Sequence, residues 1–468
     1  MLKEELMLLE KEALVEIILS LMERLSAVEA QLNQNSSNSS KPPSSDVWKQ
    51  PTSQRKHSGA KPGGQPGHPG NILKIEREPD ETIEIKPRQC GGCGRDLSGE
   101  AGVQAESRQK IDVEIRTKIT KYEQYEVVCS CCGSTNREEF PESVKSHVSY
   151  GEGVQSIGVL LTSYGNMSYG KAATFMKDVL EVPISEGTLV NHGKEFVSQS
   201  ESVLSEIKTK VQQSEVGNFD ETSVRVNGAN QWLHTAGNSE ATYNTVHPKR
   251  GLDGTNDNGV LPNFTGTAVH DCLVQYFGYG NCRHAICNAH LLRELQGVID
   301  NTKQTWAGEM QQLLRDTKKT VDEYKSDKQT ALPEELLRQF ADNYDRIVKV
   351  GEIEEPSPVI VTGKKKPKQS KPRNLLDRFI QYPEEIRRFA SDFAVPFDNN
   401  QAERDIRNAK VKMKVSGGFR SDDGAKNFGK ISSVIGTAVK QGLSVFKTIS
   451  GIFAGSVKSL FPKPVTAE

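Results

Sequence analysis

The sequence predicts a multidomain α+β protein. It reads as an N-terminal coiled-coil helix, a cysteine-clamped ribbon-like module, a helical region of helix-turn-helix type, and an α/β core broken by a helical insertion. Three observations carry this. An apolar repeat of 3.5 residues runs over residues 2–32. Two Cys-x-x-Cys pairs, Cys90-Gly91-Gly92-Cys93 and Cys129-Ser130-Cys131-Cys132, bracket alternating segments. From about residue 216 the apolar period falls to two, and after residue 285 it returns to that of helices.

A chain of 468 residues is too long for one core, so several domains are expected. The net charge of −1 hides local asymmetry: residues 401–468 hold twelve Lys/Arg against five acids. Residues 41–70 hold five Lys/Arg against one Asp, and both stretches suit a polyanion. The opening MLKEELMLLEKE has no basic-then-apolar layout and so does not read as a signal peptide. No apolar run nears the roughly 18 residues needed to cross a bilayer, which argues against a membrane partner. The eight cysteines lie in short clustered spacings, which reads as metal ligation in a reducing cytosol rather than a disulfide framework.

Within residues 1–32, Met7, Leu14, Leu21 and Val28 occupy one core position of the heptad; Ile18, Leu25 and Leu32 occupy the other, and Lys11 is the single breach. Such a stripe pairs with a second helix, giving self-association through a leucine-zipper-like coiled coil, or docks on its own domain; both readings stay open. Residues 33–70, rich in Ser, Asn, Pro and Gly with scattered Lys/Arg, read as a flexible basic linker, equally a DNA-groove tracker or a plain tether.

Residues 71–150 form the cysteine module. Zinc takes four tetrahedral thiolates, and two residues between paired cysteines make a turn that aims both at one metal. Cys90, Cys93, Cys129 and Cys132 are therefore read as ligands of one structural Zn²⁺ in a zinc-ribbon-like module. The 35 residues between Cys93 and Cys129 exceed the usual gap, and IDVEIRTKIT with YEQYEVV reads as two strands filling it. Cys131 is a spare thiol. Residues 151–210 are helical: Pro183 ends one helix, Ser185 caps the next, and the pair is open between helix-turn-helix and ordinary packing.

The core is placed at 211–415. VGNFDETSVRV, QWLHTAG, ATYNTVH and TGTAVHDC read as four strands separated by Asn-Gly and Gly-rich turns. HAICNAHLLRELQGVI reads as the following helix, residues 300–390 as a helical insertion, and a last helix begins near Asn399 or Asn400. Residues 416–468 are taken as a basic C-terminal segment. Asp220 and Asp271 fall at strand ends and Glu403 early on the last helix, positions from which carboxylates hold divalent cations.

The N-terminal zipper followed by NSSNSSKPPSSD, the two Cys pairs, FDET, CNAHLLREL, NNQAERDIR and SGGFRSDDGAKNF together resemble the large transposase of the insertion sequence 66 family, over nearly the whole chain. The resemblance implies an Asp-Asp-Glu triad on a ribonuclease-H-like fold, here Asp220, Asp271 and Glu403, with two Mg²⁺ (or Mn²⁺) ions. It implies double-stranded DNA partners at element ends and target, hydrolysis and strand transfer, accessory proteins encoded by the element, and a bacterial cytoplasmic, nucleoid-associated site of action. His290 and Arg293, three apart on one helix face, and Arg404 and Arg407, flanking Glu403, are candidate substrate contacts. The alternatives for them are a buried His, a surface Arg and a solvated charge run. Glu221 and Asp398 are expected to be bystanders. The rival functions are a nuclease or resolvase without strand transfer, and a zinc-ribbon DNA-binding regulator.

Overall fold

The computed structural model describes residues 10–35, 37–39, 78–358 and 369–461. Most of the predicted linker, residues 2–9 of the zipper, and 363–368 of the predicted loop GKKKPKQSKPR lie outside them. The chain divides into two compact units, residues 54–120 and residues 1–53 together with 121–468.

In the smaller unit the first Cys pair forms a tight turn. The Cys90 N–H donates to Arg95 O and the Gly94 N–H to Cys90 O, each at 2.9 Å, and Gly94 closes the turn at φ +73°. Residues 111–120, predicted as a strand, form none. Ile111, Val113, Ile115 and Ile119 alternate but are exposed, so the alternation has no buried face to serve.

The larger unit begins with α1 (Lys11–Leu32), one uninterrupted helix. Ile18, Leu21, Leu25, Val28 and Leu32 of the heptad are 52–79% exposed, so this stripe is not buried on its own domain. After α1, Asn38 is buried and its Nδ2 donates to Asp300 Oδ2 at 2.9 Å. The second Cys pair sits at the tip of a hairpin of β1 (Glu126–Val128) and β2 (Thr135–Arg137). Its turn repeats the first: the Cys129 N–H donates to Ser134 O, the Gly133 N–H donates to Cys129 O, and Gly133 has φ +73°.

Four helices follow: α2 (Glu152–Val159), which runs into a wider turn over Leu160–Tyr164, α3 (Tyr169–Leu180), α4 (Glu186–Gln199) and α5 (Glu201–Gln212). Helix α3 ends at Leu180, with Glu181 left-handed before Pro183, and Ser185 Oγ accepts from the Thr188 N–H at 3.0 Å to start α4.

The core is a five-stranded sheet of order β5-β4-β3-β6-β7. Strands β3 (Val216–Val226), β4 (Ala229–Gly237) and β5 (Thr242–His247) form an antiparallel meander. The first hairpin turns on Asn227 and Gly228, with φ of 48° and 78°, the two positive values that an Asn-Gly turn supplies. The short α6 (Leu252–Asn258) leads to β6 (Thr267–His270), parallel to β3, and β7 (Arg283–Ile286), parallel to β6. Strand β7 takes the first three residues of the segment predicted as one helix. Four residues ending in buried Ala285 and Ile286 are too few to display a period, and α7 (Asn288–Asn301) starts immediately after them.

Helices α7, α8 (Trp306–Ser326), α9 (Glu334–Glu354), α10 (Lys371–Gln381) and α11 (Pro383–Ser391) enclose a second core around Trp306, Leu314, Tyr344 and Phe379. Then α12 (Asn400–Ser416) returns to the sheet and packs on β3 and β4. The C-terminal segment is part of the core as well. Helix α13 (Asp422–Lys440) lies on β5, with Phe428 against Val224, Leu233 and Val246, and α14 (Val445–Phe453) packs on α2. Among the described residues no helix is long and apolar enough to cross a membrane.

Candidate metal centre

The central strand β3 brings two acids to the site. Side chains alternate along a strand, so Asp220 shares a face with Val224 and Val226, which pack with Ile406 and Ala409 of α12. Glu221 shares the other face with Phe219, whose cluster contains Tyr276. Asp271 follows the last residue of β6, the parallel neighbour of β3. Oxygens of Asp220, Glu221 and Asp271 all lie within 4.8 Å of one another, so the structure unites Asp220 with Asp271 as expected, and adds Glu221.

The three acids are not equivalent. Glu221 has a fully buried side chain with both oxygens engaged. Oε1 accepts from Arg250 Nε at 2.8 Å and Nη2 at 2.7 Å, and Oε2 accepts from the Tyr276 hydroxyl at 2.5 Å. Asp220 Oδ1 accepts only the neighbouring Glu221 N–H at 2.8 Å, and Asp271 Oδ1 the Leu273 N–H at 3.3 Å. Among the described residues no Lys or Arg pairs with either. Burial first, then Glu221 and then Asp271, pushes the Asp220 carboxyl up to about 8. Burial and then Glu221 push Asp271 up to about 6. Two crowded, partly dehydrated carboxylates without a counter-ion suit a hard divalent cation, so the donor set fits Mg²⁺ or Mn²⁺.

Glu403 stands outside that compact group, on the first turn of α12. Its Oε1 is 3.3 Å from Arg293 Nη2 and 3.7 Å from His290 Nε2. His290 and Arg293 do share a face of α7, and that face meets Glu403. Burial, then Arg293, pushes His290 down to about 4, leaving it neutral near pH 7. Its Nδ1 lies 3.2 Å from Cys287 Sγ, and burial pushes that thiol up to about 12. The protonated thiol can donate to Nδ1, leaving the Nε2–H directed at Glu403. Arg404 and Arg407 are exposed on α12; Arg404 Nη2 donates to Gln401 Oε1 at 2.8 Å. Asp398 accepts the Asn400 N–H at 3.0 Å and so works at the helix start.

The cysteine pairs each converge on their own turn. Backbone N–H groups of Cys93 and Gly92 hold the Cys90 thiol below its usual range, and Ser134 does so for Cys132. Cys131 is exposed. Glu221, Arg250 and Tyr276 lay beyond sequence reasoning, because 29 and 55 positions separate Glu221 from its partners.

The site thus combines Asp220, midway along β3, and Asp271, just past the end of its parallel neighbour β6, with a third acid on a helix that packs on β3 and β4. Residues 151–427 match the model of the Transposase IS66 family, more than half of the chain, and the chain belongs to that family. Membership makes it a transposase by class and implies use of a divalent metal. Residues 2–74 match a family of unknown function, DUF6444. A comparison with curated proteins finds no match.

The raised carboxyls predict a pH signature. A native pKa above the unfolded one means that the native state holds protons which unfolding releases. Stability from this source is therefore lost as pH rises from about 4 through about 8. In chelator, wild type and Asp220→Asn should melt most nearly alike near pH 4, and the wild type should melt progressively lower than the mutant from there toward pH 8. Mn²⁺ should raise only the wild type appreciably. A difference between the two that stays constant with pH would refute the assignment.

Proposed function

We propose that the protein is a DNA transposase of the Asp-Asp-Glu type on a ribonuclease-H-like core. It would cut phosphodiester bonds at element ends and join the freed 3′-hydroxyls to target DNA. The observation that carries this reading is the Asp220–Asp271 pair on parallel neighbouring strands β3 and β6, without a directly paired Lys or Arg among the described residues. The sheet order β5-β4-β3-β6-β7, with a three-strand meander followed by two parallel strands, supports the fold.

Asp220 and Asp271 are the ligands this reading requires, with Glu403 as third acid rather than Glu221. Glu221 is spent on Arg250 and Tyr276 and shares the opposite strand face. Glu403 is on α12, which packs on the Asp220 face of β3. Divalent cations, when bound, supply an activated nucleophilic oxygen and stabilise the leaving oxygen. Arg293 and His290 orient the Glu403 carboxylate from α7. Arg407 and Lys410 share the Glu403 face of α12 by helical spacing, are exposed, and supply positive charge for the phosphate backbone. Lys410 is close enough to favour ionisation of Asp220. The acid pair gives the inactive-regulator alternative no support.

Asp220→Asn, Asp271→Asn and Glu403→Gln should each reduce Mg²⁺-dependent cleavage and joining on native element ends by at least about a hundredfold, within the usual range for losing a group that acts on the reaction. Binding of end DNA in Ca²⁺ should persist. Near-normal cutting by one mutant would remove that residue from the site, and cleavage without joining would favour the nuclease.

The same proposal includes structural Zn²⁺ ligation by the Cys-x-x-Cys pairs, Cys90 with Cys93 and Cys129 with Cys132, supported by two turns of the same build. Elemental analysis should find about one zinc per chain, lowered by Cys90→Ser but not by Cys131→Ser. Full zinc in a Cys90/Cys93 double mutant would exclude it.

It also includes self-association through α1, supported by the exposed heptad leucines. Deleting residues 2–32 should lower the mass seen by light scattering and leave the core folded. An unchanged mass would exclude the zipper.

A further inference from the structure

Asn399 occupies the N-cap of α12, where Asn is a favoured residue because its side-chain oxygen accepts an N–H of the first turn. It makes no such bond. Its side chain reaches across to the sheet instead, only 2% exposed. Nδ2 donates to Phe219 O at 2.8 Å, on the residue before Asp220, and Oδ1 accepts from Asn218 Nδ2 at 2.8 Å. The backbone N–H of the same residue donates to Cys287 Sγ at 3.1 Å, the sulfur that contacts His290. Its carbonyl accepts the Glu403 N–H at 3.3 Å. One buried residue therefore contacts the strand carrying Asp220, the start of the helix carrying His290 and Arg293, and the backbone of Glu403.

We infer that Asn399 is the positioning residue of the metal centre, a register clamp that holds Glu403 against the Asp220 face. This rests on the metal-site reading proposed above. The chemistry demands an amide. The side chain must donate to a carbonyl and accept from an amide at once, in a space closed to water. Asp would leave Phe219 O without its donor and add a charge beside Asp220, and Ala would leave both partners unsatisfied.

The test compares Asn399→Ala with Asn408→Ala in the full-length chain. Asn408 is a control clamp on the same helix, donating to Ser163 O at 3.0 Å on the side of α2. Mn²⁺ affinity is read by calorimetry, and cleavage is read against Mg²⁺ concentration. Asn399→Ala should weaken Mn²⁺ binding about tenfold or more, as loss of residues that orient metal ligands does, and should shift the Mg²⁺ midpoint upward with it. Asn408→Ala should lower Tm and leave the affinity within about twofold of wild type, because its partners do not touch the ligands. Should Asn399→Ala fail to fold, Asn218→Ala removes one arm and should give a smaller shift in the same direction. Unchanged affinity in the folded Asn399 or Asn218 variant, or an equal shift in Asn408→Ala, overturns the clamp. A wild type that binds Mn²⁺ yet cuts no DNA removes the transposase reading, while the affinity comparison still decides the clamp.

Discussion

The cross-strand amide of Asn399 is the contact on which the site's geometry depends, because α12 reaches the sheet only after a long detour. Between β7 and α12 the chain builds five helices with their own core around Trp306, Tyr344 and Phe379. Such an excursion fixes its end only if both ends are tied to the same place. Asn288 Nδ2 donates to Ile386 O at 3.0 Å, and Arg388 Nε donates to His284 O at 2.8 Å, so the last insertion helix is bound to the strand and helix where the insertion starts. The Asn288 N–H then donates to Phe397 O at 3.0 Å, and Asn399 completes the closure on β3. The insertion can be large without loosening Glu403 because its entry and exit share hydrogen bonds.

Electrostatics separates acids that stand side by side in the fold. A buried carboxylate is tolerable when its oxygens are paired and costly when they are not. Glu221 is paired twice, and Arg250 also stacks 4.8 Å over the Trp232 ring, so its guanidinium is held from two sides. That ion pair is spent inside the fold. Asp220 and Asp271 receive single backbone N–H bonds and otherwise face each other and Glu221. The fold thus neutralises one acid internally and leaves two without a directly paired cation, eased only by the more distant charges of Lys410 and Arg250.

Much of this was legible in the sequence. Alternation marked β3 to β6, the Asn-Gly pair marked the first hairpin, and Ser185 marked the start of α4. The Cys-x-x-Cys spacing anticipated a tight turn at each pair. The failures have physical causes. Strand β7 is four residues long and runs directly into α7, so no period distinguishes it. The alternation of residues 111–120 is real, yet nothing buries those side chains. The C-terminal segment was weighed by its charge. Its apolar positions Ala425, Phe428, Ile431, Val434, Ile435 and Ala438 carry the helical period that places α13 in the core. Glu221 is expected from the sequence to be a bystander, and no sequence signal shows that it joins the carboxylate group. Its oxygens nonetheless lie within 4.8 Å of those of Asp220 and Asp271.

The helical region before the sheet is joined to the site more tightly than a separate reading head would be. The wide turn over Leu160–Tyr164 closes with the Gly165 N–H on Leu160 O, a five-residue step that frees the Thr162 carbonyl from its usual helical partner. Lys412 of α12, buried at 6% exposure, donates to that carbonyl at 2.9 Å and to Met167 O at 3.2 Å, and it lies over the Tyr169 ring. Burial lowers the Lys412 pKa, a cost that the two carbonyls and the ring offset. Asn408 adds a donor to Ser163 O one turn earlier. The helix that carries Glu403 is therefore held at its start by β3 and along its length by the turn between α2 and α3. A displacement of either neighbour must break buried hydrogen bonds along α12, while the register of Glu403 itself is set at the start of the helix by Asn399.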